Sequence, residues 1–260
     1  MEVLNQSGTS YQKLLNMQLQ ETEALVLRVR PYGELDLLVT FYSKRKGKIT
    51  GLARAAQHSR KRFGGRVDLC SYVKLHYQEK NISQLVFLAQ TELVCAYQEM
   101  KRDLVRSAYG SFLCELILNL VAERDVDAPM FEKLIQVFNI LDQKKDYMSD
   151  IFHFYWWFLK RIGLTLVLEK CISCRQAMDL QDKYFFSFLQ GGVLCRGCED
   201  KLVCDGPLDQ RSFNYLKAHC ETALEVDLHA KVEKFFYAYF LFHYGKPFRS
   251  FNYLEEIKKD

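Results

Sequence analysis

Proline is scarce, at 4 of 260 residues, in a chain that is 49% hydrophobic and 26% charged. That balance excludes a collagen-like repeat, a low-complexity array and a disordered tail protein. Long apolar runs are missing as well. Segments such as Ile117-Leu118 and Phe235-Phe236 with their flanks fall far short of the ~18–20 residues of a membrane span. Residues 1–20 show no basic start followed by an apolar stretch, so they read as an appendage rather than a secretory signal. A cytoplasmic location is the resulting expectation. Catalytic signatures are absent too. No G-x-x-x-x-G-K-[ST] occurs, and Gly47-Lys48-Ile49-Thr50 resembles only its tail. There is no G-x-S-x-G, no H-E-x-x-H and no acidic cluster suited to Mg²⁺, so the chain reads as non-enzymatic.

One sign of charge is missing over a long stretch. From Leu37 to Val67 there is no acidic residue, while Lys44, Arg45, Lys46, Lys48, Arg54, Arg60, Lys61, Arg62 and Arg66 are all cationic. Residues 21–93 hold 13 Lys+Arg against 7 Asp+Glu, and the rest of the chain is slightly acidic. A block this dense repels itself unless an anionic partner neutralises it, and nucleic acid is the commonest such partner. Arg28 and Arg30 alternate with Leu25, Leu27 and Val29 on a first strand and extend the basic set.

Patterning divides the chain into a β part and an α part. Strands are predicted at 22–30, 35–42, 48–53, 70–78 and 84–93, with the longest connection, basic and ending in Gly64-Gly65, between the third and fourth. Five short strands in this order suit an OB-type Greek-key barrel, with an SH3-like barrel as the alternative. After Glu99 the apolar period becomes helical, with a stripe from Val105 to Val121. Further helices are predicted from Asp127-Ala128-Pro129, from Ser149 or Asp150 to near Gly163, over 208–218 and over 230–244. The aromatic run Phe152, Phe154, Tyr155, Trp156, Trp157, Phe158 points all round its helix and is expected to pack the core rather than stack bases, with His153 a satisfied core histidine. The expected architecture is α+β: an appendage at 1–20, an OB-fold domain at 21–95, a helical domain at 96–168 and 206–260, and an inserted four-cysteine zinc ribbon at 169–205.

Nine cysteines, an odd number, argue against a disulfide framework. Cys70, Cys95 and Cys114 lie in apolar surroundings and are expected to act as small hydrophobes. The other six crowd into residues 171–220. Cys171-Ile-Ser-Cys174 and Cys195-Arg-Gly-Cys198 form two C-x-x-C pairs with 20 residues between them, long enough for a hairpin joining two knuckles. Four thiolates suit Zn²⁺, and an all-cysteine set leaves no position for water, so the zinc is expected to be structural. Cys204 is the substitute ligand if the register differs. A deaminase reading fails because His219-Cys220-Glu221 lies downstream of the pairs and neither pair follows a proline.

The order of parts resembles the bacterial recombination-repair mediator family RecO. The matching stretches are Ala24-Leu25-Val26-Leu27, Pro31-Tyr32-Gly33-Glu34-Leu35-Asp36, Gly47-Lys48-Ile49-Thr50-Gly51-Leu52-Ala53-Arg54 and Arg62-Phe63-Gly64-Gly65. They continue through the ribbon, with Gly191-Gly192-Val193-Leu194 before Cys195, to Lys246-Pro247-Phe248-Arg249-Ser250-Phe251, so the likeness covers roughly 22–255. It implies binding to single- and double-stranded DNA, strand annealing, and work with RecR to load RecA onto DNA coated by single-strand-binding protein, at the nucleoid. It further suggests that the helical part receives that protein's acidic, hydrophobic tail, with Arg102, Arg106 and Arg124 as candidate partners for the tail's carboxylate. The alternative is a zinc-ribbon adaptor whose barrel meets RNA.

Overall fold

Alternation of apolar and polar residues builds five strands: β1 (Gln20–Tyr32), β2 (Asp36–Ser43), β3 (Gly47–Ala53), β4 (Tyr72–Gln78) and β5 (Val86–Cys95). The structure, a computed structural model, describes residues 19–59, 62–63, 67–79, 85–178, 183–221 and 226–259. The strands close into a barrel in the order β1-β2-β3-β5-β4, and β3 and β5 run parallel while the other pairs are antiparallel. This is an OB-like barrel, as the strand spacing predicts. Its interior is filled by Val26, Val39, Phe41, Ile49, Val73, Leu75, Val86 and Leu88. One strand departs from the sequence reading. A β-bulge between Val26 and Arg28 shifts the register, so Ala24, Val26 and Val29 face the barrel core instead of Leu25, Leu27 and Val29. Arg28 and Arg30 stay exposed.

The chain divides into two compact units. One takes the barrel through Gln98 together with Leu113–Ile135; the other takes Glu99–Phe112 and the chain from Gln136 onward. The helices are α1 (Gln98–Arg102), α2 (Leu104–Leu120), α3 (Ala128–Gln143), α4 (Met148–Arg161), α5 (Gln210–Lys217), α6 (Val226–Tyr244) and α7 (Arg249–Ile257). Asp127 starts α3 as the sequence suggests, its carboxylate accepting the Met130 N–H at 3.0 Å. Among the described residues, no helix is long and apolar enough to cross a membrane.

In the first unit the barrel is keyed to the segment after α2. A Cβ at Gly47 would lie 2.1 Å from the Asp125 carbonyl oxygen, so only glycine fits there, and its φ of +62° suits glycine as well. The next residue, Lys48, is buried, and its ammonium donates to the carbonyls of Leu118 at 2.7 Å and Val121 at 2.6 Å. A cation on the last carbonyls of α2 satisfies groups a helix end leaves open and opposes its dipole. Glu79 clamps the same region by ion pairs with Lys46, at 3.2 Å, and Arg124. Burial pushes the Glu79 carboxyl up, but the two cations outweigh it and hold it below the usual carboxylate value of 4.5. A depressed carboxyl pKa contributes stability that is present above pH ~4.5 and lost as pH falls through the folded-state value. Melting temperature measured from pH 6 to pH 3 should therefore fall more steeply for the natural chain than for Glu79→Gln; identical slopes would show that the clamp does not couple to folding.

The core of the second unit is aromatic. Ile151, Phe152, Phe154, Tyr155, Trp156, Phe158 and Leu159 of α4 are buried, and Phe152 stacks on Phe236 of α6 at 5.8 Å. His153 is half-buried, with Nδ1 3.2 Å from the His219 carbonyl. The stripe that starts at Val105 lies on α2, and the short α1 precedes it. Two details differ from the sequence reading. Leu208 belongs to strand β8 (Gly206–Asp209), because Asp209 caps α5 by accepting the Ser212 N–H at 2.8 Å. The segment after Pro247 forms α7, whose Phe251 stacks on Tyr237 at 3.7 Å.

Candidate nucleic-acid interface and metal centre

Cross-strand register places the barrel's basic residues. Arg30 pairs with Leu38, Leu38 with Leu52 and Leu52 with Phe87, giving one row across β1, β2, β3 and β5. The neighbouring row runs Arg28, Thr40, Thr50, and its two threonine hydroxyls are 3.1 Å apart. Val29, Val39 and Val86 between these rows point into the barrel, so both rows lie on its outer face. Arg54, directly after β3, lays its guanidinium over the Phe87 ring at 5.3 Å. Arg62 donates to the Arg54 carbonyl at 2.9 Å. Arg45 is exposed in the β2–β3 turn. Partial burial and then the like charge of Arg30 lower the Arg28 pKa, while Glu123 opposes this. Arg28, Arg30, Arg45, Arg54 and Arg62 make no ion pair among the described residues.

The other basic residues are placed differently. Lys44 is 3.1 Å from Glu132 and 3.7 Å from Glu23, Lys46 pairs with Glu79, and Lys48 caps α2 from a buried position. Their charges are met inside the unit. Arg60, Lys61 and Arg66, together with Gly64-Gly65 and most of the appendage, lie outside the described residues.

In the second unit, strands β6 (Lys183–Ser187), β7 (Gly192–Leu194) and β8 form a sheet in the order β7-β6-β8. The first cysteine pair sits in a tight turn in which Arg175 N–H donates to the Cys171 carbonyl at 2.9 Å and Arg175 takes a φ of +67°. The second pair follows β7, where Cys195 leads into a short 3-10 turn and the Cys198 N–H donates back to its carbonyl at 2.8 Å. Backbone bonds between Val167 and Val193 and from Ile172 to Val193 hold the two turns together. Gly192 permits this approach, since a Cβ there would lie 2.4 Å from the Ile172 side chain. All four sulfurs fall within 4.8 Å of one another. Four sulfurs at ~2.3 Å from one Zn²⁺ would be roughly 3.8 Å apart, and Cys174 and Cys195 are separated by 3.7 Å.

The thiols themselves call for a cation. Burial pushes the Cys171 thiol up, but N–H donors from Cys174, Cys195 and Ser173 bring it down to about 6. Burial and the neighbouring sulfurs push Cys195 up to about 12. Four thiolates cannot share this space without a positive centre, and a divalent metal supplies one. Cys204 is outside the cluster, with its sulfur 3.8 Å from the Gly206 carbonyl. The cluster fits a four-cysteine ribbon that closes round a metal ion.

Comparison with known proteins agrees with both halves. Residues 17–97 match the family model described as Recombination protein O N terminal, and residues 101–251 match Recombination protein O C terminal. The chain belongs to the RecO family. Among similar proteins, DNA repair protein RecO of Syntrophus aciditrophicus (strain SB) is 31% identical over 179 residues, covering 68% of this chain and 69% of that protein. DNA repair protein RecO of Desulfatibacillum aliphaticivorans is 27% identical over 255 residues, covering 92% and 97%. The family is one of DNA repair and recombination mediators, and the resemblance read from the sequence is confirmed at that level.

The arginines suggested for a tail partner, in this RecO-family chain, are each placed by their own contacts. Arg102 pairs with Glu99 at 2.5 Å. Arg106 donates to the Leu141 carbonyl at 2.9 Å and lies over the Tyr147 ring. Arg124 belongs to the other unit and holds Glu79. An apolar recess of about 510 Å³ does occur in the second unit, between the ribbon and α6, lined by Phe186, Phe188, Leu208 and Phe235 with Lys231 and Lys234. The sequence reading passed over this recess and Phe87. The alternation Val86 in, Phe87 out, Leu88 in was the available signal for the latter.

Proposed function

We propose that this chain is a non-catalytic recombination mediator that binds single- and double-stranded DNA through its barrel, promotes annealing of complementary strands and, with RecR, helps load RecA onto DNA coated by single-strand-binding protein. The observation that carries the reading is the set of exposed arginines Arg28, Arg30, Arg45, Arg54 and Arg62, which form no salt bridge among the described residues. Each guanidinium offers a planar fork to a phosphate, and each phosphate it meets releases condensed counterion. Contacts of this kind hold a strand without reading its bases. Two strands gathered on one cationic surface are brought together with their bases left to find each other, which is what annealing requires. Zn²⁺ in the four-cysteine site is structural in this reading, and the remaining basic residues Arg60, Lys61 and Arg66 extend the contact.

Five phosphate contacts on a single strand give a salt slope of about −3.5, or on the order of a ten-fold loss of affinity per doubling of salt. Fluorescence anisotropy between 50 and 200 mM salt reads this directly, and an annealing assay without nucleotide reads the activity. A flat salt dependence, or annealing no faster than without protein, would reject the proposal.

A further inference from the structure

The outer face of the barrel is not uniformly ionic. Between Arg30 at one side and Arg54 at the other lies an apolar strip: Leu38, Leu52 and Phe87 in one register row. From Arg30 to Phe87 the row spans three strand spacings, roughly 14 Å, with Leu52 in its middle buried. Phe87 is partly exposed although its neighbours Val86 and Leu88 are core residues, so a large ring is spent on the outside of the strand. What covers that ring is a guanidinium. Arg54 lies 5.3 Å above its centroid, and no carboxylate pairs with Arg54 among the described residues. A planar cation on an aromatic face is an exchangeable cover, because a nucleobase is also flat, stacks on either group and brings with it a phosphate that the guanidinium can follow.

We propose that Phe87 is the base-stacking platform of this interface: an unpaired base of a single-stranded nucleic acid lies on the Phe87 ring, Arg54 moves from the ring onto the strand, and Arg28 and Arg30 hold phosphates across the same face. The inference rests on the nucleic-acid reading above and adds to it a strand preference. In a duplex both faces of every base are already stacked, so Phe87 has nothing to engage and contributes only to single strands. The threonine row beside it is uncharged, with Thr40 and Thr50 bonded to each other, and the Asp36 carboxylate at the start of β2 is engaged by the Ala55 N–H at 2.8 Å.

Phe87→Leu keeps the strand apolar and tests this in the full-length chain. Anisotropy with an oligo-dT and with a duplex of equal length should show the single-strand affinity of Phe87→Leu falling on the order of ten-fold, with duplex affinity unchanged. The salt slope should be that of the natural chain, because no phosphate contact is lost. Arg54→Ala, by contrast, should weaken both substrates and make the slope shallower by about one unit. Equal losses on both substrates, or none on oligo-dT, would overturn the platform while leaving the nucleic-acid reading intact. Failure of the natural chain to bind either substrate would remove that reading first, and the platform with it.

Discussion

Replacing Cys198 with serine is expected to abolish metal binding and to unfold the ribbon. Cys198 is 3% exposed, and its sulfur belongs to the cluster that lies within 4.8 Å. A serine hydroxyl in its place neither ionises at neutral pH nor matches the softness of thiolate, so the closed donor set is broken. Structural Zn²⁺ contributes about 10–16 kcal/mol to the folding of small zinc modules. The ribbon here has three short strands, and its two turns meet chiefly through a few backbone bonds. It has little else with which to hold Cys171 beside Cys195. Zinc released on thiol modification should be one equivalent for the natural chain and none for Cys198→Ser, and limited proteolysis should cut the variant within residues 169–205. A Cys198→Ser chain that retains one equivalent of zinc would contradict the assignment. Cys204→Ser, outside the cluster, should behave as the natural chain does.

The second large effect is expected at Lys258. Its ammonium donates to both carboxylate oxygens of Glu233, at 2.8 and 2.6 Å, and lies 2.8 Å from the Tyr109 hydroxyl. Glu233 is 5% exposed and also accepts from Tyr109 at 2.5 Å. Burial, then the Glu233 charge, pushes the Tyr109 phenol well up, so it remains a donor at all ordinary pH. Lys258→Ala removes the only cation that these contacts give Glu233 and leaves a carboxylate inside an aromatic core. Glu233 is buried but Lys258 is exposed at the surface, so the loss falls below that of a fully buried pair and is on the order of 2 kcal/mol, the worth of hydrogen bonds to a charged group. The double variant Lys258→Met, Glu233→Gln should lose less than Lys258→Ala alone, because it removes the stranded charge along with its partner. Urea unfolding of the three chains settles the comparison. A Lys258→Ala midpoint equal to that of the natural chain would mean that α7 does not depend on this triad.

What the sequence made legible follows from how local each cause is. The C-x-x-C spacing is a property of two short turns, and the four sulfurs converge as that spacing requires. Alternation in β4 is equally local, and Val73, Leu75 and Tyr77 are buried as read. The β1 face was misread because a bulge is set by pairing with β2, and nothing in Leu25-Val26-Leu27-Arg28 announces it. Charge was legible as a total but not as an assignment. Lys48 counts the same as Arg54 in a sequence sum, yet it caps carbonyls some 70 residues downstream while Arg54 stays exposed. Phe87 shows the opposite error: a hydrophobic residue among hydrophobic residues hides its outward direction until the strand's register is known.

The partnership of Gly47 and Lys48 with residues 118–125 has a consequence for synthesis. A nascent chain that has emerged only to residue 95 has all five strands but not the carbonyls that receive the Lys48 ammonium, nor Phe131, whose ring meets Tyr42 and Tyr72 at 6.4 and 6.1 Å. Until roughly another forty residues leave the ribosome, that lysine and those two tyrosines face water. The amino-terminal half of this chain therefore matures late, on a schedule set by a helix translated after the strands it completes.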